Sequence, residues 1–127
     1  MAKKNKILLV EDNPIHREVI YDGLEDFDFE IEKAEDIESA RKILEDFAPD
    51  LFILDIVFGS IKNQGILFQD ELRKNPKYKD IPTLFISAHL DESEIAEHFP
   101  EDSRENVLPK PFGFDKLLNK IREILRD

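Results

Sequence analysis

The chain has 127 residues, with 18 Lys and Arg against 29 Asp and Glu for a net charge of −11. That length suits one domain over 1–127; 41% hydrophobic residues exclude a disordered chain, and the lack of any Cys excludes disulfides and thiolate chemistry. The acidic balance speaks against phosphate-backbone binding. No apolar run reaches the ~20 residues of a membrane span and none suits a signal peptide, so a soluble, cytoplasmic domain is expected.

Taken in chain order, short apolar runs alternate with longer amphipathic segments. Ile7-Leu8-Leu9-Val10 has the continuous apolarity of a strand buried on both faces. Asn13 is a candidate N-cap and Pro14 the first residue of a helix whose apolar positions are Ile15, Val19, Ile20 and Leu24. Phe29, Ile31 and Lys33-Ala34 read as a second strand. Asp36 caps a helix with an apolar face of Ile37, Ala40, Ile43, Leu44 and Phe47, which Pro49 stops. Leu51-Phe52-Ile53-Leu54 is a third strand, and a helix from Gln64 to Lys74 carries Ile66, Leu67 and Leu72. Leu84-Phe85-Ile86 is the fourth strand, 91–99 a short acidic helix, and Val107-Leu108 the fifth strand. Phe114 to Leu125 closes the chain with Leu117, Leu118, Ile121 and Leu125 on one face. Five strands alternating with five helices predict an α/β domain, a doubly wound parallel sheet covered on both sides.

In such a sheet ligands bind beyond the carboxyl ends of the strands. The polar residues there are Glu11 and Asp12 after the first run, Asp55 after the third, Ser87 after the fourth and Lys110 after the fifth. Singly, each has an ordinary explanation as a cap, a strand terminator, a turn residue or a solvated lysine. Their succession at strand ends gives them a common meaning. Three converging carboxylates need a cation, and hard oxygen donors without sulfur select Mg²⁺ or Mn²⁺. A rigidly held Asp55 can then act as a nucleophile toward phosphorus, with Lys110 and Ser87 on the phosphoryl oxygens.

With these residues in hand, the chain resembles the receiver domains of two-component response regulators. The anchors are Glu11-Asp12, Asp55, Gly65, Ser87-Ala88 and Lys110-Pro111-Phe112, and the resemblance runs from Ile7 to the last helix. It implies a flavodoxin-like fold of five strands in order 2-1-3-4-5. It also implies that Asp55 is the phosphoacceptor, charged by a histidine kinase or a phosphotransfer protein. Asp12 and Asp55 would bind Mg²⁺ directly, Glu11 mainly through water, and Val57 through its backbone carbonyl. Ser87 and Lys110 would hold the phosphoryl group, and the Lys110-Pro111 bond would be cis. The readout face would be the fourth helix, fifth strand and fifth helix, which here joins a −6 segment at 91–105 to a basic C-terminal helix. That face would serve a downstream protein or a homodimer. The domain would be a signalling module rather than an enzyme, with at most weak self-phosphotransfer and autodephosphorylation, and no output domain is expected within residues 1–127, whether the receiver stands alone or is excised from a longer chain.

Three departures from the family pattern stand out. Gly59 replaces the usual Pro, and the 58–64 segment is about two residues longer than the pattern, read first as a surface insertion. Val107 replaces the usual aromatic three residues before the lysine, which favours an interaction module with weakened switching as the competing reading. Val57 and His89 offer neither carboxylate nor amide to orient water, so slow loss of phosphate is expected. His16, His89 and His98 are scattered, and none is expected to be phosphorylated. A haloacid-dehalogenase-type hydrolase would need an acid at Val57, and a flavodoxin a phosphate loop in place of Glu11-Asp12-Asn13-Pro14.

Overall fold

The computed structural model describes residues 4–56, 64–87, 106–110 and 112–126. Five strands form one sheet: β1 (Asn5–Val10), β2 (Phe29–Ala34), β3 (Leu51–Asp55), β4 (Thr83–Ser87) and β5 (Val107–Pro109). Every pairing is parallel, as the sequence predicts, and the order is β2-β1-β3-β4-β5, as the family resemblance implies. Four helices are seen among the described residues: α1 (Pro14–Glu25), α2 (Ile37–Ile43), α3 (Gln64–Arg73) and a C-terminal helix (Phe114–Leu125). The predicted helix at 91–99 lies outside the described residues.

The central strands alternate their side chains between two separate cores, as the two-residue period of a strand requires. Leu8, Val10, Phe52 and Leu54 join Ala40, Leu44, Phe68 and Leu72 on the face covered by α2 and α3. Ile7, Leu9, Leu51 and Ile53 join Ile20, Leu24, Leu117 and Ile121 on the face covered by α1 and the C-terminal helix. Each of the larger side chains contributes about 1.5–3 kcal/mol of transfer free energy. That leaves these strands no exposed face and explains why they read as unbroken apolar runs.

The predicted caps are in place. Asn13 Oδ1 accepts from the amides of Ile15 and His16 at 2.9 and 3.1 Å, and Asp36 Oδ1 from Ser39 at 2.7 Å. Two expectations need correction. Ile15 and Val19 were expected on the buried face of α1, but they are 72% and 64% exposed. At about 100° per residue, Ile15 and Val19 lie away from the stripe of Ile20 and Leu24, which is the side α1 turns to the sheet. Helix α2 ends at Ile43 rather than running to Phe47, because 3₁₀-type bonds (Glu45 N to Lys42 O, Asp46 N to Ile43 O) tighten the chain there. Phe47 still packs on the α2–α3 core.

Candidate functional site

The strand ends bring the sequence-predicted residues together. The Glu11 amide extends the β1–β2 ladder by donating to Ala34 O at 3.0 Å, and Arg17 Nη1 donates to the Glu11 carbonyl at 2.9 Å. The turn after β1 is therefore fixed from both sides. Asp55 is the last residue of β3, and Ile56 N donates to Ile86 O at 3.1 Å just beyond it. Ser87 ends β4, and the Lys110 amide donates to the Ser87 carbonyl at 2.7 Å. That one bond fixes Lys110, the residue after β5, against the end of β4.

Glu11, Asp55 and Ser87 are buried and Asp12 half-buried. Glu11, Asp12 and Asp55 each offer a carboxylate oxygen within 4.8 Å of the others. Lys110 Nζ donates to Glu11 Oε1 at 2.7 Å and to Asp55 Oδ2 at 3.2 Å. Glu11 Oε2 is buried with no hydrogen-bond donor among the described residues. Burial pushes the Glu11 carboxyl up to about 8, and neighbouring Asp55 adds to this while Lys110 opposes it. Two buried acids and the half-buried Asp12 thus face a single ammonium. Hard oxygens and an orphaned buried acceptor fit a small divalent cation.

Gly65 gains a physical reason. A Cβ there would fall 2.1 Å from the Asp55 carbonyl oxygen, and the Gly65 amide donates to Ile56 O at 2.9 Å. Only a residue without a side chain lets α3 start this close to the strand that carries Asp55. Val107, in place of the aromatic, is buried in the α2–α3 core. Val57, the 58–63 part of the longer loop, His89, His98, the 91–105 segment and Pro111 with its expected cis bond lie outside the described residues.

One residue at the site carried no sequence signal of its own. His16 Nδ1 sits 3.1 Å from Lys110 Nζ and 3.3 Å from Glu11 Oε1. The clue available was its position in the first turn of the helix that follows Glu11-Asp12, where a side chain can lean back over the strand end.

Comparison with known proteins agrees with the geometry. A family model described as response regulator receiver domain matches residues 7–122. The phosphate regulon transcriptional regulatory protein PhoB of Escherichia coli (strain K12) is 31% identical over 121 residues, 95% of this chain and 52% of that protein. The probable chemotaxis protein CheY of Rhizobium etli is 30% identical over 125 residues, 98% of this chain and 95% of that one. The chain thus spans about half the length of the PhoB relatives and nearly all of the CheY relative. The structure of the non-phosphorylated HemR receiver domain from Leptospira biflexa superposes with a TM-score of 0.78 at 27% identity, covering 98% of this chain and 96% of that one. No helix among the described residues is long and apolar enough to cross a membrane. With the five-stranded order, the acid cluster and the strand-end lysine, these matches show that the chain belongs to the response regulator receiver-domain family.

Proposed function

We propose that this receiver domain takes a phosphoryl group on Asp55 in a Mg²⁺-dependent reaction, from a histidine kinase or a histidine phosphotransfer protein. The observation that carries this reading is the meeting of Asp55, two further acids and the Lys110 ammonium at one edge of the sheet. An Asp55 oxygen forms the new bond to phosphorus as the bond to the donor's leaving atom breaks. Lys110, now 3.2 Å from Asp55 Oδ2, supplies positive charge to the phosphoryl oxygens, and the Ser87 hydroxyl donates a hydrogen bond to them. Glu11, Asp12 and Asp55 would hold Mg²⁺, with the Val57 carbonyl completing the protein ligands; the metal supplies charge neutralisation at the transferring group. The β-sheet core excludes water from behind Asp55, since Leu54 and Ile56 on either side of it are fully buried.

The consequence is a switch rather than turnover. A phosphoryl group adds negative charge beside Ser87 and Lys110 and biases their surroundings, which alters the binding of a protein partner or a second copy at the face that includes β5 and the C-terminal helix. Any autodephosphorylation is slow, since Val57 and His89 offer neither a carboxylate nor an amide to orient water. Incubation with Mg²⁺ and acetyl phosphate should add one phosphoryl mass to the chain and none to Asp55→Asn. No adduct on the wild type, or an undiminished one on Asp55→Asn, overturns the reading.

A further inference from the structure

His16 has no part in the reading above, yet it touches the cation at the centre of the site. An ammonium carries only donors, so His16 Nδ1, 3.1 Å from Lys110 Nζ, is the acceptor and the imidazole proton sits on Nε2. Nδ1 and Glu11 Oε1 are then two acceptors 3.3 Å apart, a contact made favourable by the ammonium that bonds both. With Asp55 Oδ2, Lys110 has three acceptors for its three N–H bonds. Two of the three belong to carboxylates of the group that fits a divalent ion. A metal there competes with the ammonium for the same negative charge, and Lys110 must give up part of its bonding to Glu11 and Asp55. The imidazole lies outside that acid group and keeps its lone pair available.

From this we infer that His16 is a positioning residue for Lys110, holding the ammonium at the mouth of the site when a metal takes the carboxylates. By retaining a partner for Lys110 it favours the metal-loaded arrangement. The inference rests on the Mg²⁺ reading above and adds a residue which that reading does not use.

The test is a Mg²⁺ titration of the chain without any phosphodonor, followed by NMR, for the wild type, His16→Ala and His16→Asn. Asn keeps an acceptor near the place of Nδ1, and Ala removes it. The Ala variant should bind Mg²⁺ about three- to tenfold more weakly, the worth of one ordinary hydrogen bond at an exposed position, with Asn within about twofold of the wild type. The Lys110 side-chain resonances in the metal-bound form should move in the Ala variant and stay in place in the Asn variant. Ala binding as tightly as wild type, or Asn as weakly as Ala, overturns the inference. A wild type that binds no Mg²⁺ overturns the functional reading as well, an outcome distinct from normal wild-type binding with an indifferent His16.

Discussion

Two charge clusters in this molecule have the same composition and opposite behaviour. At the strand ends, Lys110 bridges Glu11 and Asp55; on the surface, Arg41 of α2 bridges Glu38 and Glu71 of α3. Each is one cation between two carboxylates. The surface trio is about half exposed or more, the strand-end trio one-tenth or less. Hydrogen bonding to Arg41 holds Glu71 below the ordinary carboxylate range, whereas burial raises Glu11 despite its bond to Lys110. Water decides the sign. A solvated pair has only its attraction to report, and a buried one must first offset the loss of hydration.

The largest test of that contrast removes the buried cation. Lys110→Met should cost about 3 kcal/mol of stability at pH 7 in urea unfolding without metal, since it takes the cation away from a buried acid group. Saturating Mg²⁺ should restore much of the loss, and Mg²⁺ should bind this variant more tightly than wild type because its competitor is gone. An unchanged midpoint would place the strand-end trio in the same class as the surface one.

A second effect comes from pH. Because Glu11 is raised from 4.5 to about 8, the metal-free folded chain keeps a proton that the unfolded chain has released across that window. Stability therefore falls as pH rises from 4.5 to about 8. Mg²⁺ should flatten the slope. Glu71 has the opposite sign: its lowered value contributes stability above the ordinary carboxylate range that is lost as pH falls through the folded value. Metal-free thermal melts from pH 5 to 8 that stay level would remove the proposed role of burial. Least of all, Arg41→Met should cost about 0.5 kcal/mol or less, and added salt should shrink even that.

Much of this arrangement is legible in the sequence, for reasons that differ by element. Strands β1, β3 and β4 are buried on both faces, and their unbroken apolarity has no other economical meaning. Asn13 and Asp36 reveal helix starts because short side-chain acceptors satisfy amides there. Glu11, Asp12, Asp55, Ser87 and Lys110 are legible as a group because a parallel sheet sends all its carboxyl ends to one edge. The burial of Ile15 and Val19 was misread because the apolar positions of α1 spread around more of the helix than its one buried stripe, Ile20 and Leu24. The end of α2 was hidden because Leu44 and Phe47 reach the core from a tightened turn as well as from a helix. His16 was invisible because a contact to Lys110 spans 94 residues and leaves no local pattern.

The 2.7 Å bond from the Lys110 amide to the Ser87 carbonyl has a consequence for how such a switch tolerates change. The hydroxyl and the ammonium are not two independently tunable parts but one jaw, carried on adjoining rungs of the β4–β5 ladder. A substitution that tilts either strand end re-aims both groups together relative to Asp55. Fine adjustment of one without the other is left to side-chain length and rotamer, so variation at this edge is confined to the side chains themselves while the backbone keeps the gauge.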